Sequence, residues 1–584
     1  MTEILRLPET PSRRAWSGLA VLLPVALTAI LYLSSTFGRA VIDQDDGYNA
    51  QVVAHMVEHG DWVTPHANGL RWLEKPPFMF WLTAASIKVF GATEFALRLP
   101  PALGVIALVW VVMLIARRAG TERAAIVAGL CTASCAGTYL FTRETVHDIW
   151  LVLFVTIAMY AFFEWYLDPR HSMSKALLFY AAMAGAVLCK SLIGIAFPVG
   201  IVALFYLLKR KWPEWRTLHV LPGVCLFLVL AVPWHWLVAI RNPGFLWYFF
   251  VDEQFLRFLD MREPPVVWSV PLLSFWALIP VWFFPWTAFL PAAFAAWRKP
   301  ADAVQRSLVL LSLAWVAIIL GFFSVSARLE HYAFPMLPAL SILVAVALSR
   351  PEDSRSVKWA FRGLAILGAV VLAAGIGVAM WFVAAGHGFE NAPAKTTGTA
   401  YDSDFSILAE IPMEIQWNLL KPATVTTLSL ALGFWVALRF ETRRRRMRAV
   451  MSVAAVMMIV CGMIHWSLII CEDRISSKTF ALAIAREARP GDRLVVRGDY
   501  ESANSLNFYQ PLRVEIFDGV AYCLTPGMKY ADAPRVVMTR EEFAAVWKAG
   551  ARVFALVPLV RLGDLDPGGV EMLRVLDRVL VRNH

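Results

Sequence analysis

Residues 15–46 read AWSGLAVLLPVALTAILYLSSTFGRAVIDQDD. Ala15–Leu33 is predominantly apolar, long enough to enter a bilayer as a helix, and lacks the strict alternation of a barrel strand. Directly after it come Asp43, Asp45 and Asp46. Carboxylates gathered where an apolar chain leaves a bilayer are not needed for solvation, and ionisable groups at such a place point to a site.

Similar runs follow at Leu99–Ile115, Trp150–Phe163, Leu364–Ala384 and Val450–Ile470. Of 584 residues 59% are hydrophobic and 17% charged, too apolar for a soluble fold, in which about a quarter are charged. The chain reads as an α-helical polytopic membrane protein with about thirteen transmembrane helices. The stretches 176–189 and 335–348 are the shortest of these. The 24 Trp and 37 Phe suit interfacial belts and lipid-facing walls.

The net charge of +10 is spread in short clusters between spans: Arg13-Arg14, Arg117-Arg118, Lys209-Arg210-Lys211, Arg298-Lys299, Arg350 to Arg362 and Arg443 to Arg446. Alternating sides place all of these on one face, the positive-inside pattern, so the charge does not argue for nucleic acid. The N-terminus is then expected in the cytoplasm and, with an odd number of spans, the C-terminus outside; the bacterial inner membrane and its periplasm are what the family resemblance described below implies. Ala15–Leu33 is long for a cleaved signal. Cys471 and Cys523 are expected outside the membrane, where a disulfide is possible.

Two domains are expected: a membrane domain over 1–470, including an outer segment 37–96, and a small periplasmic α/β domain over 471–584. Gln44–Glu58 reads as a helix lying on the membrane surface, with Val52, Val53, Met56 and Val57 on its apolar side. Phe78–Phe90 is a second apolar helix. The polar segment 386–422 reads as a mobile stretch or a lid. In the last domain Asp492–Arg497, Arg535–Met538 and Val553–Val557 read as strands and Arg540–Ala549 as a helix. It carries no Gly-rich nucleotide fingerprint.

Asp45 and Asp46 are either a helix N-terminal charge pair or carboxylates that activate an acceptor, orient a sugar or, with Asp148, hold a divalent metal ion. Glu74-Lys75-Pro76-Pro77 fixes a lysine on a stiff backbone, where it is a phosphate contact or an interfacial snorkelling side chain. Arg143 and Asp148 open a span from its outer end, and Lys190 interrupts an apolar stretch as a second phosphate contact or another snorkelling lysine. Trp247–Arg262 mixes aromatics with Asp252, Glu253 and Arg257, as an interfacial lid helix or a plain aromatic belt would. Arg328, His331 and Tyr332 precede a further span and read as a wall of the same pocket.

In order, Asp45-Asp46, Gly60-Asp61-Trp62, Asn68-Gly69-Leu70, Glu74-Lys75-Pro76-Pro77, Phe95 to Pro100, Asp148, Lys190, Arg241 to Phe245, Phe250 to Glu253 and Phe323 to Pro335 resemble the polyprenyl-phosphate-sugar-dependent membrane glycosyltransferases of the GT-C fold. The likeness is greatest to the lipid A aminoarabinose transferase group, related to protein O-mannosyltransferases. It implies Asp45 as catalytic carboxylate, Lys75 as a contact to a lipid-linked phosphate, Asp148 as second acid and Tyr332 near the donor phosphate. It also implies an undecaprenyl-phosphate-linked sugar donor and a glycolipid or protein acceptor. The chain departs from the pattern in Asp46 for a glutamate, Tyr48 for an arginine, Ser191 for a glycine, and Arg328 to His331 in place of a lysine-bearing loop. These changes bear on the sugar and acceptor more than on the reaction class.

The expected activity is inverting glycosyl transfer. Its rivals are a lipid or solute transporter, against which no inverted repeat is evident, and an adaptor acting through the last domain.

Overall fold

The computed structural model describes residues 19–584 apart from 146, 170–172, 214, 260, 262–268, 299, 351–353, 386–412 and 565–568. Among the described residues nine helices are long and apolar enough to cross a membrane, or ten if the pair Leu272–Trp282 and Trp286–Ala295, bent by 91°, is one span. Three shorter apolar helices, Leu23–Ser34, Phe78–Phe90 and Ile193–Lys209, accompany them. The two short stretches belong to longer helical segments, Met173–Lys190 and Glu330–Leu348. Most of the segment read as a lid, 386–412, lies outside the described residues, and its end begins the long helix Met413–Thr442.

The helix expected at Gln44–Glu58 runs Asp45–His59. It does not lie on a lipid surface as expected: Asp46 through Val53 are all buried. The reason is a second partner that sequence periodicity does not reveal. The last domain packs onto it, so the polar side of the helix is covered as well as the apolar one.

Beyond Ile470 the chain forms a mixed sheet. A small hairpin in the outer segment supplies β1 (His66–Ala67) and β2 (Leu70–Arg71); the sheet is built of β3 (Arg493–Arg497), β4 (Val514–Phe517), β5 (Val537–Met538), β6 (Val553–Pro558), β7 (Val570–Val575) and β8 (Arg578–Arg582). Its order is β5-β4-β3-β6-β8-β7, parallel from β5 to β6 and antiparallel beyond. A capping box at Thr539 and Glu542 starts the helix Arg540–Lys548, whose Phe543 ring stacks on Phe517 at 4.0 Å. Cys471 and Cys523 are free thiols, because Cys471 caps the last span while the Cys523 backbone sits against Glu501 inside the domain.

The domain is fastened to the outer segment by polar contacts. Asp43 accepts from the Ser505 amide (2.9 Å) and the Ser477 hydroxyl (2.8 Å). Gln44 and Asn504 exchange two hydrogen bonds, at 2.9 and 2.7 Å. Tyr48 donates to Glu501 and Tyr500 to Gln51, both at 2.8 Å. Gly47 is required here: a Cβ would lie 2.1 Å from Asn504 Oδ1 and 2.9 Å from the Ser505 amide nitrogen.

A candidate active site at the helix ends

Three acids within four residues go three ways, because Gln44 adopts φ 75°, a conformation a non-glycine residue takes only when its surroundings hold it. Asp43 turns to the last domain. Asp46 turns inward, accepting from the Thr145 amide (2.8 Å), the Ile42 amide (3.1 Å) and Arg98 (3.2 Å). Burial would raise its carboxyl, but Arg98, Arg39 and the Thr145 contact outweigh that and hold it below the usual range. Asp45 alone stays water-accessible. The crowding of protein around it raises its carboxyl, opposed by Lys75 and reinforced by Glu74 and Asp148. Beside it Glu144 is pushed up to about 7, by burial first and then by Asp46 and Asp45.

A cavity of about 100 Å³ lies at the helix ends, and Asp45, outside its lining, interacts electrostatically with four residues of its wall, Lys75, Glu74, Asp148 and Lys190. Asp148 opens the helix Asp148–Leu167 and Lys190 closes the helix Met173–Lys190 that returns beside it, so each charge sits at the helix end whose dipole favours it. Lys190 donates to Asp148, and its ammonium is 4.8 Å from the centre of the Tyr332 ring. His331 Nε2 is 3.9 Å from the other Asp148 oxygen.

On the facing wall Lys75 donates to Glu74. Burial would lower the Lys75 ammonium, but Glu74, with Glu253 and Tyr332, holds it above its ordinary value. The helix Trp247–Leu256, more widely wound than an α-helix, brings Glu253 to the same place. Arg257 ties the wall together, 3.0 Å from Glu253, 3.5 Å from Glu74 and 3.3 Å from the Tyr332 hydroxyl.

Of the residues singled out from the sequence, Glu74, Lys75, Asp148, Lys190, Glu253, Arg257 and Tyr332 therefore line one cavity, with His331 against Asp148 and Asp45 reaching it electrostatically. Four do not. Asp46 is a buried anchor. Arg143 lies between the Tyr32 and Tyr139 rings (5.0 and 4.1 Å) and bonds Ser35, because aromatic faces and an interior hydroxyl satisfy its guanidinium better than the cavity does. Arg328 is used on backbone carbonyls, of Phe323 at 2.8 Å and Val270 at 3.2 Å, fastening its own loop. Asp252 is buried on the helix of Glu253 without lining the cavity.

The pair proposed from sequence for a metal, Asp45 and Asp148, does not fit one. Lys190 occupies the Asp148 carboxylate, and among the described residues no three His, Cys, Asp or Glu side chains converge to hold an ion.

Sequence reasoning had not assigned Ser191 a role. It lines the cavity, is buried, and its hydroxyl has no hydrogen-bond partner among the described residues. Its φ of 66° is one that glycine adopts freely. The signal was present: Ser191 stands where the resembled family has glycine.

The shape decides the architecture. The chain superposes on the crystal structure of ArnT from Cupriavidus metallidurans bound to undecaprenyl phosphate with a TM-score of 0.81 and 28% identity, over 97% of this chain and 98% of that one. The fold is GT-C. Residues 74–236 match the family described as dolichyl-phosphate-mannose-protein mannosyltransferase. The undecaprenyl phosphate-alpha-4-amino-4-deoxy-L-arabinose arabinosyl transferases of Yersinia enterocolitica and Aeromonas salmonicida are 29% and 30% identical over 62% and 54% of this chain. The matched stretches span 64% and 58% of those two proteins, under two thirds of either. The resemblance to GT-C polyprenyl-phosphate-sugar glycosyltransferases carried by the motifs is thereby borne out, and the GT-C chain is a multi-pass membrane protein.

Proposed function

We propose that this GT-C protein is an inverting glycosyltransferase. It moves a sugar from undecaprenyl phosphate to a glycolipid of the lipid A type, or another envelope acceptor, on the periplasmic face of a bacterial inner membrane. The N-terminus lies in the cytoplasm and the last domain in the periplasm, a topology that the placement of the basic clusters supports. One observation carries the reading: three cations, Lys75, Lys190 and Arg257, line one membrane-edge cavity beside a reachable carboxylate, Asp45. The relatives' names and the undecaprenyl phosphate of the Cupriavidus structure support the donor.

In the reaction an acceptor oxygen attacks the anomeric carbon from the face opposite the phosphate. The sugar–phosphate C–O bond breaks, and the phosphate departs with the bonding pair, gaining one negative charge. Lys75, Lys190 and Arg257 are stationed where that charge grows, which is where electrostatic help lowers a barrier most. Each is already held by a carboxylate, Glu74, Asp148 and Glu253 respectively. The cations are thus oriented before the donor arrives. A hydroxyl acceptor gives its proton to Asp45, whose raised pKa suits it as a base; a phosphate acceptor needs only to be oriented.

The test is mass spectrometry of membrane glycolipids and envelope proteins from cells with the wild type or Asp45→Asn at matched expression. A sugar-sized mass present only with wild type is expected and identifies the acceptor. Identical spectra, with the donor lipid present and the variant folded, would overturn the reading.

A further inference from the structure

At the other end of the membrane domain lies a cavity of about 940 Å³ with a different character. The helical segment Glu330–Leu348 joins the two ends: Tyr332 and Pro335 line the candidate active-site cavity, and Leu348 lines this one. Twelve residues of helix between Met336 and Leu348 amount to ~18 Å, so the cavities lie toward opposite membrane faces. Eight basic side chains line the second one, among them Arg123, Arg362, Arg444, Arg445 and Arg448, against one carboxylate, Glu441.

That carboxylate is taken. Glu441 is 3.0 Å from Arg446, which also donates to the Arg350 carbonyl at 2.9 Å. Arg350 in turn donates to Gln305 (2.7 Å), and its Nε is buried without a partner among the described residues. Arg123, Arg444, Arg445 and Arg448 meet no carboxylate among the described residues. Counting Glu352 and Asp353, which follow in sequence outside the described residues, the cations still outnumber the acids.

A topological signal needs only basic residues in loops. It does not need walls, and here there are walls. Beneath the arginines the lining turns apolar, with Ile126, Val127, Leu438 and Val450. Two helices that border the cavity face lipid: the apolar windows of Arg355–Ala384 and Met413–Thr442 are only 11% and 17% buried within the protein. Trp359 is 55% exposed with the Arg362 guanidinium 5.2 Å above its ring, an arrangement suited to the headgroup level. A lining of both cations and apolar side chains, bordered by two little-buried apolar helices, matches a molecule with a phosphate head and a hydrocarbon body. The volume exceeds what a single phosphate fills and lies in the range of ligand sites.

We propose that this cavity binds the headgroup of an anionic phospholipid from the membrane leaflet opposite the candidate active-site cavity. The phosphate lies among Arg444, Arg445, Arg448 and Arg123, and the first methylenes lie on the apolar floor. The lipid relieves repulsion among cations that the protein itself leaves unbalanced, and it fastens the ends of four spans and the shorter helix Glu122–Ser134 together.

The experiment is native mass spectrometry of the full-length protein in detergent, titrated with tetraoleoyl cardiolipin, dioleoyl phosphatidylglycerol or neutral dioleoyl phosphatidylcholine. Retention of the anionic lipids over phosphatidylcholine is expected. The triple variant Arg444→Gln/Arg445→Gln/Arg448→Gln is expected to weaken it on the order of tenfold or more, since each basic group contributes a severalfold factor near an anionic headgroup. The corresponding Arg→Lys triple restores retention. The pair Arg210→Gln/Lys211→Gln, an equally basic cluster that does not line the cavity, leaves it unchanged. Should the glutamine triple fail to give a cooperative thermal transition, the single Arg445→Gln and Arg448→Gln variants are compared instead. Unchanged anionic-lipid retention in the folded glutamine variants would overturn the proposal. So would binding of inorganic pyrophosphate that the substitutions abolish while lipid retention persists, which would make this a site for a soluble phosphate.

Discussion

Lys190 and Asp148, the last residue of one membrane helix and the first of its neighbour, hold each other at the wall of the candidate active-site cavity. Removing one partner leaves a poorly hydrated charge behind, which costs more than removing both. Lys190→Met and Asp148→Asn should each lower the thermal transition of the purified protein, and the double variant should be less destabilised than the sum, by ~0.5–3 kcal/mol. Transfer activity should not return with stability, because the double variant lacks a phosphate contact. Recovery of activity would assign the pair to packing.

Asp45 and Asp46 are adjacent and should behave oppositely. Asp45→Asn leaves folding intact, since its carboxylate is accessible, and lowers transfer to a hydroxyl acceptor roughly 10²- to 10⁴-fold. Asp46→Asn breaks the pair with Arg98 in a buried place and should cost ~3–5 kcal/mol of stability. Rate and thermal unfolding measured on both separate the two roles, and equal behaviour would contradict the geometry.

Gly47→Ala should loosen the last domain from the membrane domain. The added methyl meets the Asn504 side chain and the Ser505 backbone, and the latter cannot move aside cheaply. Faster protease cleavage in 471–584 is expected, with the membrane helices unaffected by circular dichroism. Unchanged cleavage would show that the contact yields.

Ser191→Gly should raise stability by ~1 kcal/mol, by relieving the positive φ and removing a buried hydroxyl without a partner. If that hydroxyl meets the donor phosphate, KM for donor rises at the same time. A rise in thermal stability with unchanged KM would make Ser191 a strained packing residue only.

The outer loop should weaken in acid. His55 stacks on His59 and His66, at 4.0 and 4.7 Å, and burial, then those two neighbours, lower its pKa from 6.5 to about 4. Between those values the unfolded chain binds the proton and the folded one does not. The contribution is therefore whole above pH 6.5 and is lost as pH falls toward 4. The thermal transition should drop by a few degrees over that window, and His55→Gln should flatten the dependence. An equal drop in His55→Gln would place the sensitivity elsewhere.

Local pattern made much of this legible. The helix at Phe78–Phe90 has the bounds its apolar run sets, and Arg540–Lys548 follows from a Thr and a Glu three residues apart. Lys75 and Lys190 stood out because a charge in an apolar setting needs a reason, and both line the cavity. What sequence could not yield were directions. Nothing in Asp-Gln-Asp-Asp says that Gln44 will turn the backbone and send the acids apart, since the contact that holds it comes from Asn504. Arg143 and Arg328 looked equivalent to Arg257 as basic residues near helix ends. Aromatic rings took the first and backbone carbonyls the second, and only tertiary structure shows which partner wins.

The clasp between Gln44 and Asn504 also sets an order of events during synthesis. The two residues are 460 positions apart, which at usual translation speeds is ~20–90 s. For that interval the acidic loop is finished and its helix is threaded, but Asp43 has no Ser505 to meet and Gln44 has no partner to hold its turn. A newborn chain therefore carries an unset site until its final fifth emerges. Under the proposed function, a chain that stops before Asn504 is expected to lack transfer activity.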